Sequence, residues 1–388
     1  MIIAKMRAVG RYCFAILTVS LALAAPVSGK SPEPEKERLR DEVTTLASPA
    51  FQGRRDAGGR KTVDHLIEAF RALKLQPLFE SGYTQEVPTG ETGWAPGRNV
   101  GAKLVGSDPA LRDEWIIVSA HFDHLGVRNG VLFPGADDNA SGVAMMLEVA
   151  RSLVESPQKP KRSLMFIGFD LEEVGLFGSR YFVEHPPVPL QRISLFITAD
   201  MIGRSLGGVC GSYVFVMGSE HSPGLRPWLT EASAGRSLKL GVIGSDFLLL
   251  DRSDYGPFRA KGIPYLFFST GENPRYHTPE DTPETLDYPK LESISRTILG
   301  VVRRAADADS VPRWISVPEP AASEPETIRD VLRLFLRQQD QLKIGPTQTL
   351  LISRAIRSLD TIVGRGSMST SERTGVLNLV RLILVSVL

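Results

Sequence analysis

Thiols are nearly missing from this 388-residue chain, whose only cysteines are Cys13 and Cys210. Two sulfurs are too few for a thiolate zinc site or a disulfide framework, so a metal would have to be held by imidazole and carboxylate, and stability must come from packing. Histidine is scarce as well, with six residues. No excess of one charge is present: 45 Lys+Arg face 44 Asp+Glu for a formal net charge of +1, which argues against nucleic acid as a partner. Long apolar runs are also lacking. The uncharged stretch Cys13 to Ala25 is too short to span a bilayer, as is the apolar stretch near the C-terminus. There is no internal repeat.

Lys5, Arg7 and Arg11 precede that first apolar stretch, and small residues from Ala22 to Gly29 follow, the pattern of a cleaved export signal over residues 1–29. The mature chain is then expected to start between Ala25 and Ser31, to carry a slightly negative charge and a lone Cys210, and to reside in the periplasm or outside the cell without a stable membrane span. With 42% hydrophobic residues, one large catalytic domain over 30–310 fits better than two equal ones. Residues 311–326 (VPRWISVPEPAASEPE) read as a Pro-rich linker, and 327–388 as a C-terminal helical segment of three amphipathic helices.

The runs RNVGAKLVG, EWIIVSAHF, SLMFIGFD, ISLFITAD, SYVFVMG and IPYLFFST are short, apolar and rich in strand formers. Helical patterns lie between many of them. KTVDHLIEAFRALKL, residues 61–75, repeats its apolar positions at helical spacing. Such alternation predicts an α/β fold, a three-layer α/β/α sandwich around a mixed, mostly parallel sheet, with a helical appendage at the C-terminus. Ligands gather at the carboxyl ends of parallel strands. His121, the pair Glu172 and Glu173, and Asp200 all follow apolar runs directly, so parallel strands would bring them to one rim. Adding Asp138 and His277 gives the donor order of a two-metal hydrolase. His65, His124, His185 and His221 read as surface or structural histidines, and Asp137 as a helix cap.

AHFDHLG, PGADDNASG, the glutamate pair before GLFGS, ADMIGR and RYHTPEDT together resemble the secreted zinc aminopeptidases of the bacterial leucyl-aminopeptidase type, relatives of glutaminyl cyclases and glutamate carboxypeptidase. The resemblance covers about Leu39 to Asp307. It implies two divalent ions, zinc foremost, bridged by Asp138. Glu173 and His277 would complete one ligand set, and His121 and Asp200 the other, with Asp123 behind His121 as its orienting group. Where relatives often carry a small residue before the glutamates, this chain has Leu171.

Two such ions about 3.5–4 Å apart clamp a hydroxide and polarise the scissile carbonyl. Adjacent glutamates in a turn point different ways, leaving Glu172 free to act as general base and then acid. Tyr276, beside His277, is placed to donate to the oxyanion. These residues predict an aminopeptidase acting on peptides with a free N-terminus. The alternatives are a single-zinc glutaminyl cyclase, against which the short VGLF turn between the glutamates and GSR argues, and a receptor-like relative without activity, against which the complete donor set argues.

Overall fold

Strand-forming runs and amphipathic helices alternate along the chain, and a computed structural model, which describes residues 31–90, 92–247 and 251–387, assembles them into three layers. The anticipated export signal, residues 1–29, lies outside the described residues. The strands are β1 (Gln76–Pro77), β2 (Thr84–Val87), β3 (Gly97–Leu104), β4 (Trp115–His121), β5 (Gly126–Arg128), β6 (Val131–Phe133), β7 (Ser163–Phe169), β8 (Ile193–Ala199), β9 (Tyr213–Met217), β10 (Lys239–Val242) and β11 (Tyr265–Ser269). The α-helices are α1 (Lys36–Leu46), α2 (Ala57–Ala72), α3 (Gly142–Val154), α4 (Phe177–Glu184), α5 (Arg226–Ser233), α6 (Tyr255–Ala260), α7 (Tyr288–Asp307), α8 (Glu324–Arg337), α9 (Pro346–Arg365) and α10 (Thr370–Val387).

The main sheet runs β1-β3-β7-β4-β8-β11-β9-β10, with β2 also paired to β3. Its centre, β7, β4, β8 and β11, is parallel. The flanks reverse direction at β3 against β7 and at β9 against β11. All six apolar runs read from the sequence are strands of this sheet, and the sandwich is the fold anticipated above.

Side chains alternate between faces with the period of two that a strand imposes. Ile116 and Val118 of β4, with Leu164 and Phe166 of β7, join the cluster covered by α1, α2, α3, α5 and α7. Ile117, Met165, Ile167 and Phe169 point the other way, into a second cluster with α4, α6 and the C-terminal helices. Helix α2 begins earlier than its periodicity suggests. Gly58 makes that start possible, because a Cβ there would stand 1.8 Å from the Phe51 carbonyl oxygen. The helix ends before Lys74, whose φ of 57° is left-handed.

Helices α8, α9 and α10 match the expected amphipathic stretches. Their apolar stripes do not close on one another alone: Ile328, Leu332, Phe335, Leu377 and Ile383 share one buried cluster with Tyr213, Phe215, Tyr265 and Phe267 of the sheet. Residues 311–326, read as a linker, are tied down. The Ile315 amide donates to the His221 carbonyl at 2.7 Å, the Glu319 amide to that of Glu220 at 2.8 Å, and Trp314 stacks on His221 at 3.9 Å between ring centroids. No described helix is long and apolar enough to cross a membrane.

A chain ending at Val311 would therefore expose one face of the sheet. Each fully buried Leu, Ile or Phe side chain contributes ~1.5–3 kcal/mol, so losing several consumes a net stability of about 5–15 kcal/mol. The truncated chain is expected to accumulate in the insoluble fraction; a soluble product with an unchanged thermal melt would contradict this packing.

A smaller effect joins α1 to α2. Glu42 Oε1 lies 2.6 Å from His65 Nε2, and that hydrogen bond raises the histidine's pKa while partial burial opposes it. A raised folded-state value means that the pair's stabilisation is complete below about pH 6.5 and lost as pH climbs through the raised value. His65→Gln should accordingly flatten the dependence of Tm on pH above about pH 6.5. An unaltered slope would remove the pair from the account.

Candidate metal centre

The central strands deliver the acidic and imidazole groups to one rim. β4 ends at His121, β7 leads into Glu172 and Glu173, and β8 into Asp200. The turn carrying the glutamates is fixed by Asp123, whose carboxylate oxygens accept from the amides of Glu172 at 3.0 Å and Glu173 at 3.2 Å. Asp123 also stands behind His121. Its carbonyl oxygen is 3.2 Å and its Oδ1 3.6 Å from Nδ1 of that imidazole, so the backbone oxygen is the nearer partner.

Asp138 sits in a tight turn, Ala136–Ser141, just before α3, and its peptide bond to Asn139 is cis. Asn139 ties this turn to the end of β8: its Nδ2 donates to the Ala199 carbonyl at 2.9 Å, and its Oδ1 accepts from Gly142 N at 2.9 Å. Asp281 holds the other side, accepting from the amides of Asp137 at 2.8 Å and Asp138 at 3.1 Å while pairing with Arg204 at 2.6 Å. Asp137 is not a helix cap. Its Oδ1 accepts from Gly203 N at 2.6 Å and its Oδ2 from Asn273 at 3.2 Å, because the turn points it toward the loop after β8.

Arg54, which sequence reasoning missed, is fully buried beneath this arrangement. Its guanidinium donates to the carbonyls of Phe122 at 2.7 Å, Pro134 at 2.6 Å, Gly135 at 2.6 Å and Asp138 at 3.0 Å, joining the exit of β4 to the Asp138 turn. Burial lowers its pKa to about 10, against the pull of Asp138, Asp281, Asp123 and Glu173. It stays cationic, and so offsets part of the acidic charge above it.

The two oxygens of Asp138 face separate partners. Oδ1 is 3.4 Å from His121 Nε2, which is itself 3.2 Å from Asp200 Oδ1. Oδ2 is 3.2 Å from His277 Nε2, which is 3.0 Å from Glu173 Oε2. All five residues read from the sequence as ligands thus converge. So does His124, against the reading of it as a structural histidine. Its imidazole is fully buried, with Nδ1 2.8 Å from Glu173 Oε1 and 3.7 Å from Asp138 Oδ2. His65, paired with Glu42, and His221 and His185, stacked on Trp314 and Tyr181, lie in structural settings.

Donor atoms of His124, Asp138, Glu173 and His277 fall within 4.8 Å of one another, as do those of His121, Glu172 and Asp200. Nε2 of His277 makes no hydrogen bond despite its nearness to two carboxylates, and Nε2 of the buried His124 is likewise unpartnered. Buried carboxylates facing imidazoles with free nitrogens are a donor set suited to divalent cations. Burial works against ionisation of Asp138, but His121 and His277 hold it well below the usual carboxylate range. His277 is pushed to about 10: burial opposes the shift, and contacts with Asp138 and Glu173 drive it. Glu172 goes the other way. Burial raises its carboxyl well above the ordinary value, Asp200, Asp254 and Glu173 add to the shift, and His121 opposes it.

Asp138, Glu172, Glu173 and Asp200 line a cavity of about 560 Å3 together with Tyr276, which stacks on His277 at 3.8 Å between centroids. The fold agrees with that of the solved zinc aminopeptidase BSAP from Bacillus subtilis, with a TM-score of 0.57 over 74% of this chain and 100% of that one at 18% identity. In sequence, the chain is 30% identical over 207 residues to aminopeptidase YwaD of Bacillus subtilis, covering 52% of this chain and 43% of that protein. It is 29% identical over 267 residues to the glutaminyl-peptide cyclotransferase of Boiga dendrophila, covering 58% of this chain and 71% of that protein. The chain thus spans less than half the length of the first of these relatives. Residues 99–302, more than half of its own length, match peptidase family M28, and the chain belongs to that family.

Proposed function

We propose that this chain is a metal-dependent aminopeptidase that hydrolyses the N-terminal bond of peptides with a free amino terminus. The observation that carries the reading is Asp138, whose two oxygens face two separate imidazole–carboxylate pairs. His121 and Asp200 would hold one divalent ion with it, Glu173 and His277 a second, with zinc the first candidate. Ions bound there supply Lewis acidity to the scissile carbonyl and to the attacking water.

The protein's own groups then divide the work. Glu172 accepts the water's proton and passes it to the leaving amine, a role suited to a carboxyl whose proton affinity is raised by burial. Asp123 keeps Glu172 and Glu173 apart by anchoring both amides. The Tyr276 hydroxyl donates to the oxyanion as it develops. The carboxylates around Asp200 attract the substrate's ammonium group, which confines cleavage to the terminus. Export from the cytoplasm, supported by the run Cys13 to Ala25, would bring the enzyme to extracytoplasmic peptides.

A panel of peptides with free and N-acetylated termini, assayed with the zinc-loaded full chain, tests the reading. Release of the first residue from free peptides only is the expected result. Equal cleavage of acetylated peptides, or conversion of N-terminal glutamine to pyroglutamate without hydrolysis, would overturn it.

A further inference from the structure

Away from the metal-site carboxylates, the cavity of about 560 Å3 is mostly apolar, with Arg252, Glu272 and Arg381 as its charged lining, and part of its wall comes from outside the family match at residues 99–302. Helix α8 contributes Ile328, Val331 and Leu332, and α10 contributes Val380 and Leu384. On α8 these positions stand three and four residues from Ile328, and on α10 the two are four apart, so each set lies on one side of its helix. Phe215 and Phe267 of the sheet face the same chamber.

This wall is anchored. Arg373 of α10 donates to Glu324, fully buried at the start of α8, at 2.6 and 2.9 Å, and to Asp246 at 2.7 Å. Gly244 N also donates to Glu324 at 2.8 Å, and Arg381 Nε to the carbonyl of the cavity-lining Phe247 at 3.1 Å. A buried carboxylate paired in this way resists separation, because parting the pair leaves an uncompensated charge. The apolar stripe is therefore held against the site by polar contacts at its edges.

We infer that α8 and α10 are the specificity wall of the site: the chamber takes the side chain of the substrate's N-terminal residue and selects long apolar chains, beyond leucine in length, over short ones. The inference rests on the aminopeptidase reading. Val331 and Leu384 line the same cavity as Glu172 and Asp200, so a substrate whose amino and carbonyl groups sit at those carboxylates has an apolar wall within the same space. A chamber of this volume lies in the range of about 300–1,000 Å3 that accepts whole small ligands, so a leucine side chain would leave much of it unfilled. Each further methylene buried there is worth roughly fourfold in kcat/KM.

The test uses the zinc-loaded full chain and anilides of alanine, leucine, 2-aminohexanoic and 2-aminooctanoic acid. The inference predicts a rise in kcat/KM along the series to about 10²–10³ between alanyl and 2-aminooctanoyl, and a fall of that ratio by tenfold or more in Val331→Phe and Leu384→Phe. Rapid hydrolysis with no dependence on chain length overturns the inference and leaves the aminopeptidase reading standing. Direct binding of octylamine and ethylamine, followed calorimetrically, separates the two ideas and does not depend on the variants folding. Tighter octylamine binding without hydrolysis of any anilide retains the chamber and overturns the reading. Equal binding of both amines overturns the inference.

Discussion

Glu172→Gln is expected to keep the same metal content as the wild-type chain while turnover falls by about 10²–10⁴, the range for losing a positioned acid–base group. The amide has nearly the shape of the carboxyl, and the turn that carries it is fixed from outside by Asp123 through main-chain hydrogen bonds that the substitution leaves alone. Substrate affinity should change little. What is lost is the proton carrier, which burial and the charges of Asp200, Asp254 and Glu173 had given a raised proton affinity. Steady-state kinetics with elemental analysis of the same sample checks this. Normal turnover would mean that a different base serves the reaction.

Asp138→Ala is expected to be more damaging still. It should remove both ions and reduce activity to background, whereas Asp200→Ala should weaken one. The difference follows from geometry, since each Asp138 oxygen faces a different imidazole, while Asp200 Oδ1 stands near His121 alone among the histidines. Removing Asp138 also leaves its turn without the charge that pairs with His121 and His277, although Arg54 and Asp281 still grip the main chain there. A thermal melt on the zinc-free proteins separates loss of metal from loss of fold. Equal metal loss in the two variants would contradict a shared carboxylate.

How far these features could be read in advance depended on whether their cause was local. The six main strands announced themselves as short apolar runs, and the rim position of His121, Glu173 and Asp200 followed from each standing at a run's end. His124 did not, because what identifies it is a contact distant in sequence, its Nδ1 standing 2.8 Å from Glu173 Oε1 in the folded chain. Arg54 was illegible for another reason: its partners are main-chain carbonyls, which leave no mark on side-chain identity. The C-terminal helices were legible as helices, yet periodicity shows that a face is buried without showing against what. Their packing on the sheet, and with it the wall of the cavity, belongs to the tertiary structure.

Zinc titration of the metal-free chain, with activity on a leucyl anilide followed in the same samples, tests the central claim most directly. Two equivalents bound per chain, with hydrolysis appearing as they fill the site, is the result predicted from the two faces of Asp138. A single tight equivalent at saturation, with cyclisation of N-terminal glutamine and no cleavage of the leucyl bond, would contradict it.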